Sequence, residues 1–235
     1  LTERMREEWT MAMNEIILRY RKTEGTSNRL DGIENPVEQF MHKSSMWTCN
    51  QRILLNCRHF PFRSLKTALA PSELLEEALL LAYEAQETSD ENVMIHFLDK
   101  ASELKNVDIY HLQGIERLAF LLNLYHLLVI HSYLLLGPPE SSATFVKMMH
   151  MVSYEVSDDI FSLAELELNI IRGSASYPIE FAPRFVLPKS RYGFALDKMD
   201  IRVNFALNCG SKSAPKTVPI YKATTIEMQL DAAAV

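Results

Sequence analysis

A cysteine at position 209 lies in the segment FALNCGSKSAP, residues 205–215, and its thiol could act as a nucleophile. A thiol enzyme needs a thiolate, a nearby base and hydrogen-bond donors that stabilise the oxyanion. Gly210 follows the cysteine, so backbone amides could converge beside the thiol, and the cation of Lys212 would favour the thiolate form. The alternative is that Cys209 is a small side chain that packs at the end of a strand.

Two histidines in an apolar stretch are the candidates for the base of such a site. His126 and His131 both fall in LAFLLNLYHLLVIHSYLLLGPP. Asn123 or Glu167 could orient the imidazole that is used. On a helix, two residues that are five apart point about 140° away from each other. The two imidazoles therefore cannot bind one metal ion from one helix face, and we expect neither a metal nor a cofactor.

The GSKS segment at 210–213 is similar to the end of a phosphate-binding loop. The complete motif needs a glycine four residues before a Gly-Lys pair. Here Ser211 separates Gly210 from Lys212, and no glycine lies in residues 201–208. A nucleotide-hydrolysing enzyme is therefore not indicated, whereas a simple anion-binding nest stays open. The candidate binding residues in and around this segment are Arg172, Arg202, Asn208, Ser211 and Lys212.

Glu167 falls on the apolar face of a predicted helix, where a buried carboxylate is costly unless it is paired. Arg172 is five residues away in the same helix, which is a poor spacing for an ion pair. We therefore expect Arg117 or Arg202 to pair with Glu167, either as part of a structural network or beside a catalytic carboxylate. Because buried polar groups need partners, we predict one polar centre that joins Asn123, Glu167, Arg172 and the loop 208–212.

Helical periodicity dominates the first two thirds of the chain. Apolar residues at three- and four-residue steps predict helices over 2–22, 71–86, 90–107 and 118–136. The first would be an amphipathic arm, and Pro71 and Ser72 mark the start of the second. No charge falls between Arg117 and Glu140, but the polar residues within 118–136 favour a helix buried in the domain over a membrane span.

The last third of the chain changes character and predicts a small sheet. Two β-favouring runs within 152–163 indicate a hairpin, and the alternation in IRVNFALN predicts a strand over 201–208. Helices follow each of these segments. Two capping boxes mark the starts of these helices, Ser162 to Glu165 and Thr224 to Glu227.

Composition limits the classes of protein to which the chain can belong. Its 235 residues are 48% hydrophobic and 23% charged, which is typical of an ordinary globular domain with an extension. The net charge of −6 argues against nucleic acid as the main partner. The three cysteines form no metal-type spacing and no signal peptide is evident, so we expect a cytoplasmic protein.

Four motifs follow one another along the chain: LAFLLNLYHLLVIH, then VSYEVSDDIFSLAELELNIIRG, then DIRVNFALNCGSKSAP, then a closing helix with QLDAA. Together they resemble the family called domain of unknown function 547, over roughly residues 70–235. Members of that family occur beside DEP and glutaredoxin domains and in plant leucine-zipper proteins. The resemblance implies a map of motif positions and no particular reaction.

Three positions depart from the pattern of that family. His126 stands where Asn is usual, Leu168 stands where many members have His, and Ala214 stands where a second Cys is common. A leucine cannot take up a proton, so the missing histidine weakens the case for thiol catalysis. The resemblance also implies that the family's domain continues past Val235.

These patterns predict an α+β fold, a helix-rich domain with a small, mostly antiparallel sheet and an N-terminal helical arm. We expect a helical extension over 1–65 and the domain over 66–235. The leading interpretation of function is a cytosolic interaction or scaffolding module that binds another protein or peptide, with no nucleic acid, no membrane span and no indicated oligomeric state. The alternative is a cysteine-dependent hydrolase or acyl transferase that would use Cys209, His126 or His131, Asn123 and Glu167.

Overall fold

A computed structural model describes residues 52–56, 69–157, 159–173, 192–198, 200–210 and 218–234. The described residues are mostly helical and include a small three-stranded sheet, which confirms the predicted α+β class. The predicted arm over 2–22 lies outside the described residues, as do the candidate binding residues Ser211 and Lys212.

The elements occur in the following order along the chain. The helices are α1 (Pro71–Thr88), α2 (Glu91–Glu103), α3 (Gly114–Leu136), α4 (Ser142–Met151), α5 (Leu163–Glu165), α6 (Val203–Ala206) and α7 (Ile226–Ala233). A π-helix continues α5 over Leu166–Ile171, and two 3₁₀ turns connect α2 to α3 at Leu104–Asn106 and Ile109–His111. The strands are β1 (Ile53–Leu54), β2 (Val152–Val156) and β3 (Asp159–Ser162).

Helix α1 begins where its sequence signals predict. Pro71 occupies the first turn, and Glu73 Oε2 accepts a hydrogen bond from the Ala70 N–H at 3.3 Å. Ser89 follows the last turn in a left-handed conformation, with φ 53°. The apolar face of α1 packs against α2 and α3 and buries Leu74, Leu75, Ala78 and Leu79.

Helix α3 runs through the core, as predicted for 118–136. Its apolar residues are buried almost all round, including Leu121, Leu122, Leu124, Leu127 and Leu128. A helix with this pattern needs other elements to cover it on most sides. By length and composition α3 could also cross a membrane, but 72% of its most apolar 18-residue stretch is buried inside the domain. Helix α3 is the support on which the candidate site is built.

The sheet has the order β1–β2–β3 and combines parallel and antiparallel pairing. Strands β2 and β3 form the predicted hairpin, in which Tyr154 lies opposite Phe161 in an antiparallel register. Strand β1 runs parallel to β2 and places Ile53 opposite Val152. Tyr154 and Phe161 are fully buried, so the hairpin contributes one face to the core.

The prediction of a strand over 201–208 is wrong, because this segment contains helix α6. A strand would place Val203 and Phe205 on one face, yet Val203 is fully buried and Phe205 is 61% exposed. Val203 and Ala206, three residues apart, face the core. Ile201 and Phe205, four residues apart, face solvent, which is the spacing of a helical turn.

One of the two predicted capping boxes is present. Ser162 Oγ accepts a hydrogen bond from the Glu165 N–H at 3.2 Å, and Glu165 Oε2 accepts one from the Ser162 N–H at 2.9 Å. The box predicted from Thr224 is wrong, because α7 has Thr225 as its N-cap and that side chain makes no capping bond.

Arg52 ties the start of the described chain to the rest of the domain. Its guanidinium makes a two-pronged ion pair with Glu165, in which Nη2 donates to Oε1 at 2.9 Å, and both residues are less than 5% exposed. Asn56 bonds to both backbone groups of Glu155 in β2, at 2.8 and 2.9 Å. Residues 52–56, which we assigned to the N-terminal extension, therefore pack into the domain.

Candidate functional site

Cys209 lies in a loop that other residues hold in place. It is partly exposed and packs against the hydrophobic core. The Tyr133 hydroxyl donates a hydrogen bond to the Cys209 carbonyl at 2.6 Å. The Asn208 side chain accepts one from the Gly210 N–H at 2.8 Å. Gly210 has φ 75°, and a Cβ there would come within 2.5 Å of the Tyr133 ring, so both the turn and the close approach require glycine.

His126 is the imidazole that contacts this loop. Its Nε2 accepts a hydrogen bond from the Asn208 N–H at 3.1 Å, so the proton of the neutral ring is on Nδ1. The ring is buried and stacks on Tyr221, with centroids 5.9 Å apart. Burial lowers the pKa of His126 to about 4, although the Ala206 carbonyl opposes this shift.

These contacts limit what His126 can do to Cys209. The lone pair of Nε2 is already engaged by a backbone amide, and Nδ1 is buried without a hydrogen-bond partner. Within the described part of the chain, no hydrogen bond joins the Cys209 thiol to an imidazole. A base must reach the proton that it removes, so His126 would have to release the Asn208 amide first.

Asn123 holds a second segment on the same helix. Its Oδ1 accepts a hydrogen bond from the Tyr221 N–H, and its Nδ2 donates one to the Tyr221 carbonyl, both at 2.8 Å. Asn123 and His126 are three residues apart, so they lie on the same face of α3. The Tyr221 hydroxyl in turn donates to the Ala206 carbonyl at 3.3 Å. The amide of Asn123 therefore fixes the chain before α7, and both of its hydrogen bonds go to the Tyr221 backbone and not to His126.

Glu167 and Arg172 form an ion pair, which the sequence argument judged unfavourable. Arg172 Nη2 lies 2.9 Å from Glu167 Oε1. The reason is the π-helix, in which the Arg172 N–H donates to the Glu167 carbonyl at 3.1 Å, so that residues five apart lie one above the other. The expectation that Arg117 or Arg202 would be the partner is wrong, since Arg117 bonds instead to the backbone carbonyls of Leu112 and Tyr110.

The same ion pair connects α3 to the segment of α6. The Tyr125 hydroxyl donates to Glu167 Oε2 at 3.1 Å, and Arg172 Nη1 donates to the Asn204 side chain. Burial, and then the charge of Glu167, raise the pKa of Tyr125 well above its usual range. Tyr125 is therefore a neutral hydrogen-bond donor at ordinary pH, and Glu167 is engaged by two partners.

His131 and Arg202 belong to other parts of the molecule. His131 Nδ1 lies 2.7 Å from the Tyr154 hydroxyl in β2, its ring packs edge-on against Phe97, and burial lowers its pKa to about 3. Arg202 makes ion pairs with three acidic residues, Asp200, Glu227 and Asp231. No bond joins either residue to Cys209 within the described ranges.

The structure thus gathers most, but not all, of the candidate residues around one segment. His126 bonds to Asn208, Arg172 bonds to Asn204, and Asn123 bonds to the nearby chain at Tyr221. Sequence reasoning missed three participants, Tyr133, Tyr221 and Asn204. Tyr133 carries a recognisable signal, since a hydroxyl in an otherwise apolar helix needs a partner. The other two carry none, because Asn204 bonds to a residue 32 positions away and Tyr221 to one 98 positions away.

We call the set Asn123, Tyr125, His126, Tyr133, Glu167 and Arg172, with its bonds to residues 204–210 and 221, the polar centre. Its groups bond mainly to one another and to backbone, an arrangement that fixes the position of a chain segment. Among the described residues, no group of three His, Cys, Asp or Glu side chains could hold a metal ion.

The comparisons with known proteins gave one match. A family model described as "Protein of unknown function, DUF547" matches residues 109–235, which is more than half of the chain. No curated protein and no solved structure matches the chain.

Proposed function

The chain belongs to the DUF547 family, whose function is unknown, and we propose that it is a cytosolic protein-interaction module. In this proposal the polar centre positions a binding surface and performs no reaction. The two parts of the proposal rest on different observations, one on the polar centre and one on the surface beside it.

The polar side chains of the polar centre are already hydrogen-bonded, which supports a role in positioning a chain segment. The acceptor of His126 is used by a backbone amide, both polar atoms of Asn123 are used by Tyr221, and Glu167 is used by Tyr125 and Arg172. A catalytic group needs a free lone pair or proton that can reach the substrate. Buried and mutually bonded groups instead give a unique position to the segment that they hold.

The observation that carries the proposal is the exposed apolar surface on that segment. Ile201 is 74% exposed, Phe205 is 61% exposed, and Met228 in α7 is 66% exposed. Arg202 joins the two helices, because it lies between Ile201 and α6 in the chain and makes ion pairs with α7. We call Ile201 and Phe205, which lie four residues apart, the C-terminal apolar surface. Large exposed apolar side chains beside a rigid support are typical of binding surfaces.

The proposal is tested by peptide binding to the intact chain. Peptides are selected from a displayed random library on the purified full chain, and their affinities are measured by fluorescence anisotropy. We expect Phe205→Ser to weaken the selected peptides by about tenfold or more, since burying a Phe side chain contributes about 1.5–3 kcal/mol.

Two variants serve as controls for that measurement. Leu80→Ser changes an apolar residue of similar exposure, 53%, on α1, and Cys209→Ser removes the thiol. The proposal predicts that both bind the peptides as the wild-type chain does. It is wrong if Phe205→Ser binds as tightly as Leu80→Ser does, or if Cys209→Ser abolishes binding while the chain stays folded.

A second candidate function is thiol acyl transfer at Cys209. The observation in its favour is that Cys209 is a partly exposed residue and its loop is held by Tyr133 and Asn208. With p-nitrophenyl acetate, the thiolate would form a C–S bond to the acetyl carbon and release p-nitrophenolate. A stoichiometric burst of p-nitrophenolate, with acetyl found on Cys209 by mass spectrometry and absent in Cys209→Ala, would support this candidate over the interaction module.

A further inference from the structure

The C-terminal apolar surface has a candidate occupant within the same chain. We propose that residues 2–22 bind this surface and cover it until a partner displaces them. This inference rests on the proposed function, because it assumes that the surface binds a protein segment. It adds a regulatory contact that the proposed function alone does not contain.

Both the segment and the surface have apolar side chains that need to be covered. The sequence of residues 2–22 predicts an amphipathic helix whose stripe consists of Met5, Trp9, Met13, Ile16, Ile17 and Tyr20. Such a helix is stable in water only when its stripe is packed against other apolar groups. Ile201 and Phe205 offer such groups one helical turn apart, which is the geometry of a helix-binding site.

Complementary charges lie on both sides. Asp200, Glu227 and Asp231 lie beside the surface and carry three negative charges against the one positive charge of Arg202, which pairs with all three. Residues 19–22, RYRK, give the predicted helix a basic end. A basic end next to an acidic rim favours one orientation of the bound helix and raises its association rate.

The linker between residues 2–22 and the domain is long enough to let the segment reach the surface. Arg52 is fixed in the domain by its ion pair with Glu165, and residues 23–51 join that point to the segment. These 29 residues can span up to roughly 95 Å when extended, which is more than the width of a domain of this size. A tethered segment has an effective concentration on the order of millimolar, so binding within the chain is favoured over binding of a second copy.

The test uses Trp9 as a reporter in the full-length chain. Trp47→Phe leaves Trp9 as the single tryptophan, and its accessibility is read from acrylamide quenching and from the emission maximum. We expect a blue-shifted, protected Trp9. Phe205→Ser should shift the equilibrium between the covered and open states by about tenfold or more, and should make Trp9 red-shifted and easily quenched. Leu80→Ser should leave Trp9 protected.

The outcomes separate this inference from the proposed function. The inference is overturned if Trp9 is solvent-exposed in the Trp47→Phe chain. It is also overturned if adding Phe205→Ser to that chain leaves Trp9 equally protected. It is also overturned if protection is lost on dilution together with a fall in mass by light scattering, because the occupant would then be a second copy. In each of these cases the peptide-binding test can still succeed, so the two ideas fail separately.

Discussion

Replacing Asn123 by alanine tests whether the polar centre holds the chain in place. Asn123 is only 4% exposed and satisfies both the N–H and the carbonyl of Tyr221 at 2.8 Å. Alanine removes both hydrogen bonds and leaves two buried backbone groups without partners. Each unsatisfied buried group costs about 1–3 kcal/mol, so for two groups we expect Asn123→Ala to lower the free energy of unfolding by about 2–6 kcal/mol.

The assay is urea denaturation, combined with hydrogen exchange of the peptide that contains Tyr221. We expect the exchange of residues 218–222 to rise more than that of α1, because the loss is local to the segment that Asn123 holds. Asn106→Ala is the matched control, since Asn106 is exposed, and its effect should stay within about 0.5 kcal/mol. A loss below about 1 kcal/mol for Asn123→Ala, with no change in exchange at 218–222, would refute this reasoning.

Two further predictions concern buried charge. Arg52→Met should cost about 3–5 kcal/mol, because it removes the guanidinium that balances the buried charge of Glu165, whereas adding Glu165→Gln, which removes that charge and can still accept from the Ser162 N–H, should restore most of that stability in urea denaturation. If the double variant is no more stable than Arg52→Met alone, the ion-pair argument is contradicted. The second prediction is a loss of stability in acid from His126. The unfolded chain takes up a proton near pH 6.5 and the folded chain only near 4, so about 3 kcal/mol is present above pH 6.5 and is lost as the pH falls towards 4. His126→Gln, whose Oε1 can still accept from the Asn208 N–H, should make the pH profile of unfolding less steep in this range, while the buried His131 still contributes its own loss of stability in acid. An unchanged profile would argue against a neutral, buried His126.

Local patterns were sufficient to predict the long elements. Helix α3 has apolar residues on every face and no charged residue after Arg117, so its burial follows from composition alone. The β2–β3 hairpin was predictable because both runs flank a short polar turn and lie next to each other in the sequence. The box of Ser162 and Glu165 was predictable for the same reason, since its two bonds join residues three apart.

The errors come from short segments and from long-range contacts. A run of eight residues with alternating apolar side chains fits a strand, but the burial of Val203 and Ala206 with the exposure of Phe205 shows that a helical turn fits better. The pairing of Glu167 with Arg172 depends on a π-helix, which sequence spacing does not reveal. The parallel strand β1 pairs with β2 across about 100 residues, so only the fold could show that contact.

The side chains of the polar centre are predictable from the sequence, but their partners are not. Polar side chains in an apolar helix must find partners, so Asn123 and His126 were recognisable as members of a network. Their partners are the backbone of Tyr221 and of Asn208, and a backbone group has no sequence signature. Sequence therefore identified the groups that bond, whereas the structure was needed to identify what they hold.

The most direct test of the central claim, that the polar centre positions a segment and does not activate Cys209, is the alkylation rate of that thiol. Iodoacetamide adducts on the Cys209 peptide are measured by mass spectrometry over a range from about pH 6 to about pH 9, because only the thiolate reacts. The account predicts that Cys209 is alkylated at the same rate in His126→Gln as in the wild-type chain at each pH. Rapid alkylation at about pH 6 that His126→Gln abolishes would contradict it and favour thiol catalysis.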